Sequence, residues 1–179
     1  MENDVLFFEQ QRFNQWWLKA ILISINVLPI YALYYQLVLD KPFGNNPLSS
    51  VGWIIIGLAT LAFTYFFFSQ KLETKIKNDG IYVRFFPFNM QFRHLDWNSI
   101  SKMFVRKYKP IAEFGGWGIR YSITGKGKAL NISGNWGLQI IFKDDKKLLI
   151  GTQQAFQLAE VLKATKQASF EQQENYTIT

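Results

Sequence analysis

Apolar positions fall into two long, strongly apolar runs before residue 70 and into short alternating stretches after it. The first run, Trp17 to Leu39, reads WLKAILISINVLPIYALYYQLVL. Its 23 positions exceed the roughly 20 residues that cross a hydrocarbon core. The second, Val51 to Phe68, reads VGWIIIGLATLAFTYFFF, with 18 residues and no charge. That length just reaches the lower limit for a span. Between them DKPFGNNPLSS, residues 40–50, carries two prolines, a glycine and paired asparagines, so neither helix continues through it. The pattern predicts two transmembrane helices, about 17–39 and 51–68, joined as an antiparallel hairpin. A soluble helical pair would need a cover, and the remaining 110 residues could hardly supply one for two uniformly apolar helices.

Details of the runs fit this expectation. Lys19 lies near the start of the first and can snorkel to an interface. Pro29 should kink or loosen that helix. Trp16, Trp17, Tyr34, Tyr35 and Trp53 sit near predicted ends, as interfacial aromatics do. The first run is too long for a cleaved signal peptide and lacks both a basic n-region and a small-residue cleavage site. Residues 5–17, VLFFEQQRFNQWW, read either as a short interfacial helix running into the first span or as a plain extension of it.

From residue 70 the period changes to two. LETKIK (72–77) and IYVRFFPF (81–88) flank an Asn-Asp-Gly turn, a strong hairpin signal. MQFRHLDW (90–97), ISKMFVRKYK (100–109), GIRYSIT (118–124), KALNIS (128–133), LQIIFKDD (138–145) and KLLIG (147–151) follow, each bounded by turn residues. About eight short strands at this spacing predict a small barrel or sandwich. Gln153 to Gln167 then switches to helical spacing, with Thr152 as the expected N-cap. The expected organisation is residues 1–69 as an N-terminal segment with two spans, 70–167 as a β domain closed by one helix, and 168–179 as a polar tail.

Charge adds a location. The net charge is +7. Residues 1–69 hold Arg12, Lys19 and Lys41 against Glu2, Asp4, Glu9 and Asp40, so the whole excess lies C-terminal to them. The inter-helix loop carries only Lys41, whereas Arg12, Lys19, Lys71, Lys75 and Lys77 flank the outer ends. The positive-inside rule then predicts cytoplasmic termini in an inner membrane. A basic domain beside a bilayer is drawn to anionic headgroups, about 1 kcal/mol per well-placed cation. Nucleic acid is the less favoured partner. Lys102, Arg106, Lys107 and Lys109 do interleave with Phe104 and Tyr108, a pattern that can stack single strands. An edge strand kept soluble by charge explains the same pattern better.

Meander strands closed by one C-terminal helix describe the pleckstrin-homology-like fold. FFEQQRFNQWWL (7–18), NDGIYVRF (78–85), LDWNSISKM (95–103) and GWGIRYS followed by LQIIFKDDKKLLIGTQ within 116–153 resemble bacterial membrane-anchored PH-like proteins. The resemblance implies an α+β membrane protein: a helical hairpin, then a PH-like barrel or sandwich with a closing helix. It further implies an adaptor or scaffold role and no particular ligand.

Chemistry narrows the classes further. Zero cysteines and a single histidine, His94, exclude a disulfide scaffold, a thiolate metal site and a multi-histidine metal centre. No serine lies in a G-x-S-x-G setting, and GKGKA (125–129) lacks phosphate-loop spacing. No enzyme, metal or cofactor is therefore expected. Asn131-Ile132-Ser133 spells a glycosylation sequon but falls on a predicted cytoplasmic strand. Lys75, Lys77 and Arg84 around the first turn are candidates for lipid headgroups, or else simply solvate the hairpin. Gly115, Gly116, Trp117 and Arg120 are candidates for a partner contact, or else form a loop whose Trp covers the core. Asn26 and Gln36 are candidates for intramembrane contacts, with an interhelical hydrogen bond as the simplest role. The expected function is a scaffold or regulatory module of a membrane complex, with a membrane protein or a second copy as partner. Alternatives are an anionic-lipid sensor and an accessory subunit of a transporter or secretion complex.

Overall fold

A computed structural model of the chain describes residues 4–122 and 125–165. The chain forms two compact units. One comprises Phe13–Gln70; the other combines the segment ending at Arg12 with the chain from Lys71 onward.

The helical unit contains α1 (Trp16–Leu37) and α2 (Ser50–Ser69), within two residues of the expected spans. Pro29 lies inside α1 and is buried against Gly57 of α2, where a Cβ would stand 3.7 Å from the proline Cβ. The Ser49 side chain caps α2 by accepting from the Gly52 amide. The connecting loop is folded back by Phe43, whose ring packs edge-on against Trp53, Tyr31 and Tyr35. Both helices are long and apolar enough to cross a membrane. Ile23, Ile30, Ile55 and Leu58 are all more than 60% exposed, so the pair buries little of its own apolar surface.

The second unit holds two sheets. The first has the order β1-β2-β3-β4, with β1 Val5–Arg12, β2 Lys71–Lys77, β3 Gly80–Phe86 and β4 Arg93–Asp96. All neighbours are antiparallel. The interfacial helix expected over 5–17 is thus corrected: Val5–Arg12 is a strand, paired along β2 from Val5↔Lys77 to Arg12↔Lys71. The expected boundary at residue 69 moves with it, because the β unit is discontinuous and the two apolar helices sit between its first two strands.

The second sheet has the order β5-β8-β9-β7-β6, with β5 Ile100–Lys107, β6 Gly118–Tyr121, β7 Lys128–Asn131, β8 Trp136–Phe142 and β9 Lys147–Thr152. β7 runs parallel to β9, and the other pairs are antiparallel. β5 is an edge strand, as its charges suggest. Without the β6–β7 hairpin, the strands would read as a meander of four and a meander of three. The eight expected strands are all found, and β1 makes nine among the described residues. The sheets do not close into a barrel, which corrects that part of the expected fold class.

Two short helices complete the unit. α3 (Pro110–Phe114) starts on a proline and ends on Gly115 in the left-handed region, φ 72°. α4 spans Ala155–Ala164 and buries Leu158 and Leu162. Its N-cap is Gln154, not the expected Thr152, whose Oγ1 instead accepts from the Gln154 amide at 3.0 Å. The expected tail at 168–179 lies outside the described residues.

The core follows strand alternation. Leu72, Ile76, Ile81, Val83 and Phe85 line the inner face of the first sheet, and Met103, Leu138, Ile140, Leu148 and Ile150 one face of the second. The other face of the second sheet is covered by α3 and the chain after it. There Tyr108, Phe114, Ala129 and Leu149 form a smaller apolar cluster.

Candidate functional site

The outward face of the first sheet gathers the expected headgroup residues. Strand register puts Lys75 beside Tyr82 and Phe8, and Glu73 beside Arg84 and Gln10. The cations lie over aromatic rings. Lys75 Nζ is 4.6 Å from the Phe92 centroid and 5.4 Å from that of Phe8. Lys77 Nζ is 5.3 Å from Tyr82, and the Arg84 guanidinium is 4.4 Å from Phe92. Arg84 is also tied down: its Nε donates to Glu73 Oε2 at 2.6 Å, and Lys71 lies 3.3 Å from the same carboxylate. Lys75 and Lys77, with exposed Arg12 at the other end of the face, therefore carry the charge that it can offer to another molecule. Leu6 and Phe8 beside them are 44% and 49% exposed, and Phe88 and Met90 after β3 are more so.

Glycine-rich residues 115–118 are held from within. Trp117 Nε1 donates to the Gly134 carbonyl at 3.1 Å, and Arg120 Nε donates to the Trp117 carbonyl at 2.9 Å. The Gly118 amide donates to Asn131 Oδ1, and Asn131 Nδ2 donates to the buried Tyr108 hydroxyl, both at 2.9 Å. Gly116 is buried, and Trp117 is half-buried. This is the arrangement of a loop that covers a core. Arg120 alone of the four candidates is exposed with a charge to present.

Glu113 anchors that loop. Arg106 reaches it with both terminal nitrogens, at 3.3 and 2.9 Å, the Lys109 amide donates to it at 2.9 Å, and Lys126 stands 3.1 Å away. Desolvation opposes its charge, but these donors outweigh that cost and hold the carboxyl at about 2. Arg106 in turn bonds Gln139 of β8 at 3.0 Å. One carboxylate thus links β5, α3, residue 126 and, through Arg106, the centre of the second sheet.

A buried carboxylate joins the sheets. Glu9, 4% exposed on β1, accepts from Thr152 Oγ1 at 2.6 Å and from the Gln153 amide at 2.7 Å. Burial pushes its carboxyl above the ordinary range, against the pull of those bonds. Gln11 Nε2 donates to the Gly151 carbonyl at 2.7 Å.

In the helical unit, Asn26 Nδ2 donates to Thr64 Oγ1 at 2.7 Å, an interhelical bond of the expected kind. Gln36 does not reach the other helix's middle. It donates to the Leu48 carbonyl and accepts from Ser50, pinning the entry to α2.

Sequence reading missed a cleft of about 760 Å³ between the free edge of β4 and the turns of the second sheet. Arg93 and His94 of β4 form one wall, and Tyr121, Gly125 and Gly127 with the β8–β9 turn the other. Its basic residues come from separate segments, so only their convergence in space marks it. Among the described residues, no cluster of three or more His, Asp or Glu could hold a metal.

No curated protein and no solved structure matches the chain. One family model does, over residues 1–164: the chain belongs to a family of unknown function, DUF6141.

Proposed function

We propose that this is a non-enzymatic inner-membrane protein in which α1 and α2 form a transmembrane hairpin and the β unit is a PH-like interaction module of a membrane complex. The uncovered apolar surface of both helices supports the spans. Pairing of Arg12 with Lys71 supports the hairpin, because the chain enters α1 and leaves α2 from neighbouring strands and both ends must lie on one side of a bilayer. Under the positive-inside rule that side is the cytoplasm of a bacterial cell. The four-strand and three-strand meanders followed by α4 support the PH-like reading, with the β6–β7 hairpin as an insertion.

The observation that carries the function is the outward face of the first sheet. Lys75 and Lys77 stand there beside exposed Leu6 and Phe8, a combination suited to an acidic, partly apolar partner surface. The test is capture of the full chain from native membranes in mild detergent. Wild type retains a stoichiometric membrane partner, and Lys75→Glu with Phe8→Ser loses it. A partner retained equally by the variant overturns this contact surface.

A second reading takes the same cations as a sensor of anionic lipid. Lys71, Lys75 and Lys77 lie within eight residues of the α2 end, within reach of headgroups if α2 spans. Amine-labelling rates of Lys75 and Lys77 decide it in nanodiscs with and without phosphatidylglycerol. Slower labelling with anionic lipid supports the sensor, and equal rates reject it.

A further inference from the structure

We propose that the cleft beside β4 is a binding site for a small multivalent anion, with phosphate esters as the ligand class. Four cationic residues line it from three separate segments: Arg93 from β4, Lys128 from β7, and Lys143 and Lys147 from the β8–β9 hairpin. Among the described residues none of the four pairs with a carboxylate. Lys147 Nζ has only a 3.5 Å contact to the Gly125 carbonyl, and Lys128 Nζ lies 5.4 Å from the Tyr121 ring. Of the two carboxylates on the rim, Asp144 is already bound to Lys146 at 2.7 Å, which leaves Asp145 against the four. Like charges that line one concave, partly apolar site raise its positive potential, and a compact anion is drawn to it.

The shape agrees with a small ligand rather than a surface. A volume of about 760 Å³ lies in the range of small-molecule sites. Its apolar lining includes buried Leu95 and Leu148 and the ring of Tyr121, which is 70% exposed. Lysines act as point charges and set no planar geometry, unlike the arginine fork that suits a carboxylate. A phosphate, with two charges in a small volume, satisfies several lysines at once. The phosphoryl group could belong to a soluble ester or to a lipid headgroup. The site is separate from the sheet face proposed above, so either can fail alone.

The experiment titrates inorganic pyrophosphate into the full chain in uncharged micelles by calorimetry. Expected is saturable binding of one equivalent, weakened about tenfold by Lys128→Gln or Lys147→Gln and unchanged by Lys163→Gln on α4. Added salt should weaken it. Lys143→Gln, at an exposed turn, replaces either variant that fails to fold. Repeating the titration in nanodiscs separates the sources. Competition by phosphatidic acid, whose headgroup is a phosphate monoester, over phosphatidylcholine assigns the phosphoryl group to a headgroup, and indifference assigns it to a soluble ester. No saturable binding by wild type, or equal binding by the Lys128→Gln, Lys147→Gln double variant, overturns the proposal.

Discussion

Replacing Glu113 by Gln keeps the shape of the side chain and removes its charge. The carboxyl sits at about 2 in the folded chain, against an ordinary 4.5. A depression of that size corresponds to a ceiling of about 3.4 kcal/mol of native-state stabilisation at neutral pH. Lys126 is 46% exposed, so solvent screens part of the interaction, and about 2 kcal/mol is the expected loss. For a β unit of this size that loss lowers Tm by about 10 °C. The sign follows from the depression: the contribution is complete above pH 4.5 and disappears as pH falls toward 2. At pH 3 about two fifths of it should remain. The assay is thermal unfolding of the full chain in uncharged micelles, read by near-ultraviolet circular dichroism at pH 7, 4.5 and 3. An equal gap between variant and native chain at all three values would refute the electrostatic account. So would the absence of any gap at pH 7.

Three other outcomes follow from the same geometry. Glu9→Gln should melt higher than the native chain at pH 7, because a raised carboxyl costs stability while ionised, and the gap should close as pH falls toward 4.5; a lower Tm at pH 7 would contradict this. Gly127→Ala should cost about 2 kcal/mol, since Gly127 has φ +84° and a Cβ there would run into the Lys147 carbonyl; urea unfolding measures it, and a neutral effect would exclude that clash. A chain lacking residues 1–12 should leave β2 as a bare edge and expose Leu72 and Ile76, so its β2 amides should exchange rapidly with solvent; native-like protection would show that β1 is dispensable.

Period and turn chemistry made most of the chain legible. Both apolar helices, the Asn-Asp turn before Gly80, eight strands and α4 follow from local sequence. β1 did not, for a specific reason. Its inward positions are Phe7, Glu9 and Gln11, and its outward ones include Leu6 and Phe8, so the usual alternation of apolar inside and polar outside is absent. Glu9 and Gln11 are buried only because Thr152, Gln153 and Gly151 supply partners more than 130 residues away. α3 was hidden by its length, five residues that start on a proline and stop before a glycine. The sheet-face candidates were legible because Lys75, Lys77 and Arg84 flank one turn. Arg84's commitment to Glu73 was not, since cross-strand pairing depends on register. The cleft was illegible because its lining residues come from separate segments that share one site only after both sheets have formed.

The interruption of the β unit by α1 and α2 has a consequence for biosynthesis. β1 leaves the ribosome before its partner β2, which follows only after 58 intervening residues. Glu9 and Gln11 wait longer still, until Gly151 to Gln153 have been made. If the helices insert as they emerge, β1 must stay unpaired on its own side of the membrane throughout. Failed insertion would strand it on the wrong side or far from β2, and the sheet could not be completed. Assembly of the β unit would then report on delivery of the hairpin, and misinserted chains would carry an unfinished edge that proteases can read.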